Sequence, residues 1–168
     1  MRTTDLSAEL EATAQQIQEL EEALAKKQEQ WQQDAERVSK LPTALPLTQD
    51  FSITSGFGVR ADPMTHQASM HEGIDFVAPV GTQVRATAEG KVVRSGRACA
   101  YGETIQVAHA DGFVSRYAHL SRRHVNDGDR VERGQLIGLL GNTGRSTGPH
   151  LHYEVLYQGQ PMHPTKAF

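Results

Sequence analysis

All fifteen glycines of this 168-residue chain lie beyond residue 50, and residues 5–40 contain neither glycine nor proline. That partition imposes two kinds of structure on one polypeptide. The first segment is rich in Glu, Gln, Ala, Leu and Lys, all good helix formers. Its apolar residues recur at Leu10, Ile17, Leu24, Trp31 and Val38, a strict seven-residue step. A long coiled coil wants a second apolar seam as well. Here Leu6 and Leu20 fit that seam, but Thr13, Lys27 and Asp34 do not. The spacing predicts one long helix within residues 1–41 that carries a single apolar stripe. Such a helix can act as a stalk, as a self-association surface, as a docking face for an envelope protein, or as a lid.

The helix cannot continue through Leu41-Pro42-Thr43-Ala44-Leu45-Pro46, because each proline removes a backbone donor and restricts the residue before it. Residues 42–50 read as a linker. From Phe51 onward short β-prone runs alternate with glycine-bearing turns. Strands are predicted over 51–57, 83–88, 91–95, 104–109, 113–119, 136–140 and 151–157. Asp111-Gly112 lies between two of these runs and is a hairpin signal. No ten-residue amphipathic helical pattern occurs after residue 50. The body, residues 51–168, is expected to be mainly β.

Charge narrows the functional classes. The formal net charge is −3, which argues against a nucleic-acid partner. Residues 1–40 carry nine acidic and five basic side chains, so the remainder is close to neutral. Cys99 is the lone cysteine, which excludes an intrachain disulfide and a cysteine-based zinc cluster. No run approaches the roughly 18 apolar residues of a membrane span. The first residues also lack the apolar core of a signal peptide. Either the chain is cytosolic or it is an ectodomain whose anchor or signal lies outside it.

Three short pieces concentrate the chemistry: His71-Glu72-Gly73-Ile74-Asp75, Tyr117-Ala118-His119-Leu120, and Gly148-Pro149-His150-Leu151-His152-Tyr153-Glu154. Gly73 lets the backbone bend between His71 and Asp75, so that both side chains can reach one ion. His150 and His152 lie two apart in a predicted strand and so project from one face. His119 ends another strand, with Tyr117 expected on its face and therefore near a substrate. Two His and one Asp satisfy a catalytic zinc, which takes three protein ligands and keeps a fourth position open. Two histidines then remain for proton transfer. Spacing does not say which of His150 and His152 holds the metal. His66, His109, His124 and His163 read as ordinary surface or turn histidines.

Longer motifs surround these pieces: Ser55-Gly56-Phe57-Gly58-Val59-Arg60, Pro79-Val80-Gly81-Thr82, Gly134-Gln135-Leu136-Ile137-Gly138, and Gly144-Arg145-Ser146-Thr147-Gly148-Pro149-His150-Leu151-His152. With them, residues 51–168 resemble the lysostaphin/LytM-type zinc metallopeptidases that cleave peptide cross-links in peptidoglycan. The resemblance implies an antiparallel LytM-type β-sheet domain with one Zn2+ held by His71, Asp75 and His152. It implies His119 and His150 as the catalytic pair, and peptidoglycan stem peptides as the substrate class in the cell envelope, with the periplasm the favoured compartment. All five positions are filled, unlike relatives that have lost ligands and activate amidases instead. Arg60, Asn142, Thr143 and Ser146 are candidates for gripping the substrate backbone or a stem carboxylate. The 61–70 loop is the local departure that bears on substrate preference.

Two other classes compete. The turn-rich 125–135 segment is similar to biotinyl/lipoyl carrier domains, but the body has only Lys91 and Lys166, neither in a suitable hairpin. A regulatory protein with a silent zinc site, recruiting a partner hydrolase through its helix, is the second. The cross-link expected is D-alanyl to a diamino acid, with oligoglycine the alternative.

Overall fold

A computed structural model of the chain describes residues 3–62 and 64–164. Contacts divide it into two compact units that separate between Val38 and Ser39. The first is a single helix, α1 (Thr3–Ser39), 37 residues long. At a rise of 1.5 Å per residue it extends about 55 Å. It stops one residue short of Leu41-Pro42, as the prolines require. Leu10, Ile17, Leu24, Trp31 and Val38 are all more than half exposed, so the heptad stripe faces solvent. Among the described residues no helix is long and apolar enough to cross a membrane.

The second unit is mainly β, with every described strand pairing antiparallel and one 3-10 turn at Ala110–Gly112. Its strands are β1 (Ser52–Ser55), β2 (Gly58–Ala61), β3 (Ala68–His71), β4 (Ile74–Val77), β5 (Gln83–Arg85), β6 (Gly90–Ala98), β7 (Gly102–Ala108), β8 (Phe113–Arg123), β9 (Arg130–Val131), β10 (Leu136–Leu140), β11 (Leu151–Tyr157) and β12 (Gln160–Met162). The main sheet runs β1-β4-β11-β8-β7-β6-β9, with β10 joining β8 to β5 and β12 on β11. Strands β2 and β3 form a separate hairpin. Alternation sorts the side chains of the central strands. On β11, Leu151, Tyr153 and Val155 enter the core while His152 and Glu154 share the opposite face; on β4, Ile74 and Phe76 flank Asp75 in the same way. The core continues through Val84, Ile105, Val107, Leu120, Ile137 and Leu140.

Four differences from the sequence reading stand out. The 61–70 stretch is not simply a loop: Gly58–Ala61 pairs residue for residue with Ala68–His71. Both strands of that hairpin are largely exposed, so no period-two hydrophobic signal marks them. Strand β4 was also missed, being only four residues long. The segment read as a linker is packed on the β unit. Leu47 is fully buried in the core, Ala44 N–H donates to the Thr87 carbonyl and Arg85 N–H to the Pro46 carbonyl.

The fourth difference is in β8. Ile105 pairs with Tyr117 but Glu103 pairs with Leu120, so β8 carries one residue more than β7 across this stretch. This is a β-bulge, and His119 sits in it with φ of 61°. The extra residue reverses the alternation. Tyr117 and Leu120 both point into the core, and His119 points out of it. Tyr117 is therefore not on the face of His119.

The packing of Leu47 generates a test. Leu47→Ala should lower the stability of the β unit by about 2–5 kcal/mol, read from the urea unfolding midpoint. A change under about 0.5 kcal/mol, the range of neutral surface substitutions, would mean that residues 42–50 are a free tether.

Candidate metal centre and active site

Register builds the centre. Asp75 on β4 is directly opposite His152 on β11, and His71 ends β3 just before the turn into β4. The turn residue Gly73 lies against β11, where a Cβ would clash with the Tyr153 carbonyl and come within 2.9 Å of His152 Cε1. The glycine is needed for this close approach rather than for a bend. His71 Nε2 is 3.1 Å from Asp75 Oδ1 and 3.1 Å from His152 Nδ1, and His152 Nδ1 is 2.8 Å from Asp75 Oδ1. All three residues are buried.

Those atoms fit a zinc ion. Bonds of about 2.05 Å in a tetrahedral site put ligand atoms about 3.3 Å apart, so the triangle needs to open by only a few tenths of an ångström. The far side of each ring is already committed. His71 Nδ1–H donates to the Gly56 carbonyl at 2.7 Å, and His152 Nε2–H donates to Glu154 Oε1 at 2.9 Å. In the neutral ring each bond leaves the lone pair of the other nitrogen turned toward the centre. Glu154 is fully buried and meets Arg116 Nη1 at 2.5 Å. Arg116 also donates to the Tyr101 hydroxyl at 2.9 Å and lies over its ring. On the other side Arg60 donates to Asp75 Oδ2 at 3.2 Å.

The electrostatics follow from this arrangement. Burial would raise the Asp75 carboxyl, but hydrogen bonds from His152 and His71 outweigh it and hold the group far below the carboxylate range. Burial also opposes charge on His152, yet Asp75 and Glu154 together lift its pKa to about 9. Glu154, despite its burial, is lowered by His152 and Arg116. Burial pushes the Tyr101 phenol up to about 12, with Glu154 adding to it.

His119 and His150 stand beside the ligands with ring centroids 4.6 Å apart. His119 Nδ1–H donates to the Thr143 carbonyl at 2.7 Å, and His150 Nδ1–H donates to the Gly148 carbonyl at 2.8 Å. With Nδ1–H committed in this way, Nε2 of each ring is the nitrogen left to face the cleft. Burial lowers the pKa of His119 to about 4, so its ring is neutral at physiological pH. Both acceptor carbonyls come from the 141–150 loop. Gly144, at φ of 74°, lets that loop press against the Ala100–Gly102 backbone.

These side chains line one open cleft of about 590 Å³. Of the residues singled out in the sequence, His71, Asp75, His119, His150, His152, Arg60 and Ser146 meet there. Ser146 lies 3.1 Å from His150 Nδ1 and donates to Gly148. Three residues expected at the substrate do not meet it. Tyr117 is fully buried, its hydroxyl accepting from Thr87 N–H and Ser115 Oγ. Thr143 spends its hydroxyl on Leu120 and Glu103, bracing the loop. Asn142 is exposed outside the cleft. Sequence reasoning passed over Glu154, Arg116, Tyr101 and Arg145. The spacing of Glu154 two residues after His152 was the one available signal; the others depend on strand register.

Comparison with known proteins agrees with this geometry. Residues 69–164 match the model of peptidase family M23, more than half of the chain. The chain is 48% identical over 115 residues to the DD-carboxypeptidase/endopeptidase Mpg of Neisseria meningitidis serogroup B, covering 68% of this chain and 26% of that protein. A zinc-containing peptidase from Vibrio cholerae superposes with a TM-score of 0.68 at 40% identity, over 73% of this chain and 39% of that one. The catalytic domain of lysostaphin from Staphylococcus simulans gives 0.63 at 34% identity, over 69% and 90%. The protein belongs to peptidase family M23. It spans about a quarter of the length of the Neisseria relative.

The raised pKa of His152 generates a prediction. A metal ion needs the Nδ1 lone pair, which below about pH 9 is occupied by a proton. Zinc must displace that proton, so its affinity should rise at least about tenfold per pH unit between 6.5 and 8.5. Competition with a chromophoric chelator measures this. A pH-independent affinity over that range would show that His152 does not carry the extra proton at Nδ1 in the free protein.

Proposed function

We propose that the protein is a zinc-dependent endopeptidase of the cell envelope that hydrolyses peptide cross-links of peptidoglycan, the D-alanyl to diamino acid bond in particular. The observation that carries this reading is the meeting of a His-Asp-His ligand set with two further histidines on one open cleft. The D,D assignment draws support from the name of the Neisseria relative. The helix α1 we assign to a stalk segment. Its exposed stripe is suited to self-association or to an envelope protein partner.

His71, Asp75 and His152 would hold the zinc. Bound there, zinc lowers the pKa of a coordinated water to about 7 and polarises a carbonyl. The chain's own groups supply the rest. His119, kept neutral by burial and with Nδ1–H tied to Thr143, presents Nε2 as the proton acceptor. His150, the more exposed of the pair, is left to donate from Nε2 to oxygen once protonated. Arg60 holds Asp75 through Oδ2, leaving Oδ1 for the ion. Glu154 and Arg116 keep His152 in its ligating orientation.

This division of roles predicts different losses. His119→Ala should reduce turnover by about 10²–10⁴-fold while retaining its zinc, whereas Asp75→Ala should lose the zinc itself. Metal content and cleavage rate, measured on the same preparations, check both. A metal-free His119→Ala protein would overturn the assignment.

The function is tested by digesting purified cross-linked sacculi with and without a zinc chelator and separating the muropeptides. Loss of cross-linked dimers, abolished by the chelator, is expected, with product masses that place the cut at the D-alanyl carbonyl. Intact dimers with zinc bound would point instead to a regulatory protein.

A further inference from the structure

Among the described residues, the arginine and lysine side chains lining the cleft are Arg60 and Arg145. Arg60 is engaged with the ligand Asp75. Arg145 is placed differently. It belongs to the loop that carries His150, and Ser146 beside it touches the His150 ring. Its backbone N–H is fixed to the Ala100 carbonyl, while its side chain is half exposed. The guanidinium reaches across to Asp62, at the end of β2, with Nη2 2.6 Å from Oδ2. Asp62 does not depend on that contact: Oδ1 accepts from Met64 N–H and Thr65 N–H at 2.9 Å each. A carboxylate therefore already sits on a cleft arginine. The arginine side of the pair is half exposed, and solvent screens such contacts, so one carboxylate can replace another at little cost.

The chemistry of the substrate supplies a replacement. When the acylated amine of a D,D cross-link is an α-amino group, that residue's free carboxylate lies two bonds from the scissile nitrogen. A carboxypeptidase substrate has the same feature, because its leaving residue is the chain terminus. An oligoglycine bridge lacks it, since the chain continues as an amide. Carboxylate recognition is what the planar guanidinium does best.

We propose that Arg145 is a specificity residue that takes the substrate carboxylate next to the scissile amide, releasing Asp62, which holds that place in the free protein. The inference rests on the D,D-endopeptidase reading. It makes Arg145 the feature that separates D,D cross-links from oligoglycine bridges.

The test uses the full zinc-loaded chain and two cross-linked stem-peptide dimers. They differ only in whether the α-carboxyl beside the scissile nitrogen is free or amidated. The native protein should prefer the free acid. Arg145→Gln should lower kcat/KM on the free acid by about 10–100-fold, chiefly through KM, and stay within about threefold on the amidated dimer. Zinc content and unfolding midpoint should not move. Asp62→Asn should go the other way, keeping or lowering KM for the free acid. Equal losses on both dimers in both variants would mean that the pair merely braces hairpin against loop, and no loss in Arg145→Gln would also overturn the proposal.

Calorimetric binding of the amine-side product peptide, free or amidated, reads the same contact without hydrolysis. If the native protein cleaves neither dimer, the D,D reading fails. Weaker binding of the free-acid product to Arg145→Gln would then still support the arginine contact, and unchanged binding would overturn it.

Discussion

The pairing of β4 with β11 sets Asp75 opposite His152, and the rest of the site is arranged around that one register. A slip by a single residue would turn His152 and Glu154 into the core and expose Leu151 and Tyr153. Core packing and the metal centre are therefore the same constraint seen from two faces of a strand. The apolar face of β11, through Leu151, Tyr153 and Val155, holds the strand where its polar face must be. Gly73 brings His71, the third candidate ligand, to the other two by letting the β3–β4 turn lie flush against β11.

Behind the ligands the charges form a chain from Asp75 through His152 and Glu154 to Arg116. Asp75, His152 and Glu154 would each be costly to bury alone, and each is buried beside an opposite charge. Imidazole orientation is set in this way before any ion arrives. The second pair of histidines is positioned by different means. Both rings hang from backbone carbonyls of one loop, and one of them gains its direction from a bulge.

Much of this was legible in the sequence, for identifiable reasons. The absence of Gly and Pro over 5–40 wrote the helix, and alternation placed His152 on a polar face. The ligand set came with the motif resemblance rather than from spacing. What escaped the sequence was long-range or broke a period. The β2–β3 hairpin buries too little to leave an alternating pattern. Tyr117 was put on the wrong face because a bulge inserts one residue without any compositional sign. The prolines at 42 and 46 announced the end of a helix but not that Leu47 would fill the core. Arg145 could be recognised only once Asp62 was brought to it by the fold.

Among the described residues the hairpin of β2 and β3 pairs with no strand of the main sheet, yet it supplies His71 at one end and Asp62 at the other. Its base carries a candidate ligand, while Asp62 beyond the other end of β2 faces the cleft arginine. Such an architecture lets substrate preference change at one end of the hairpin while the candidate ligand at the other is retained. Diversification of preference among such chains can thus proceed without any intermediate that has lost the reaction.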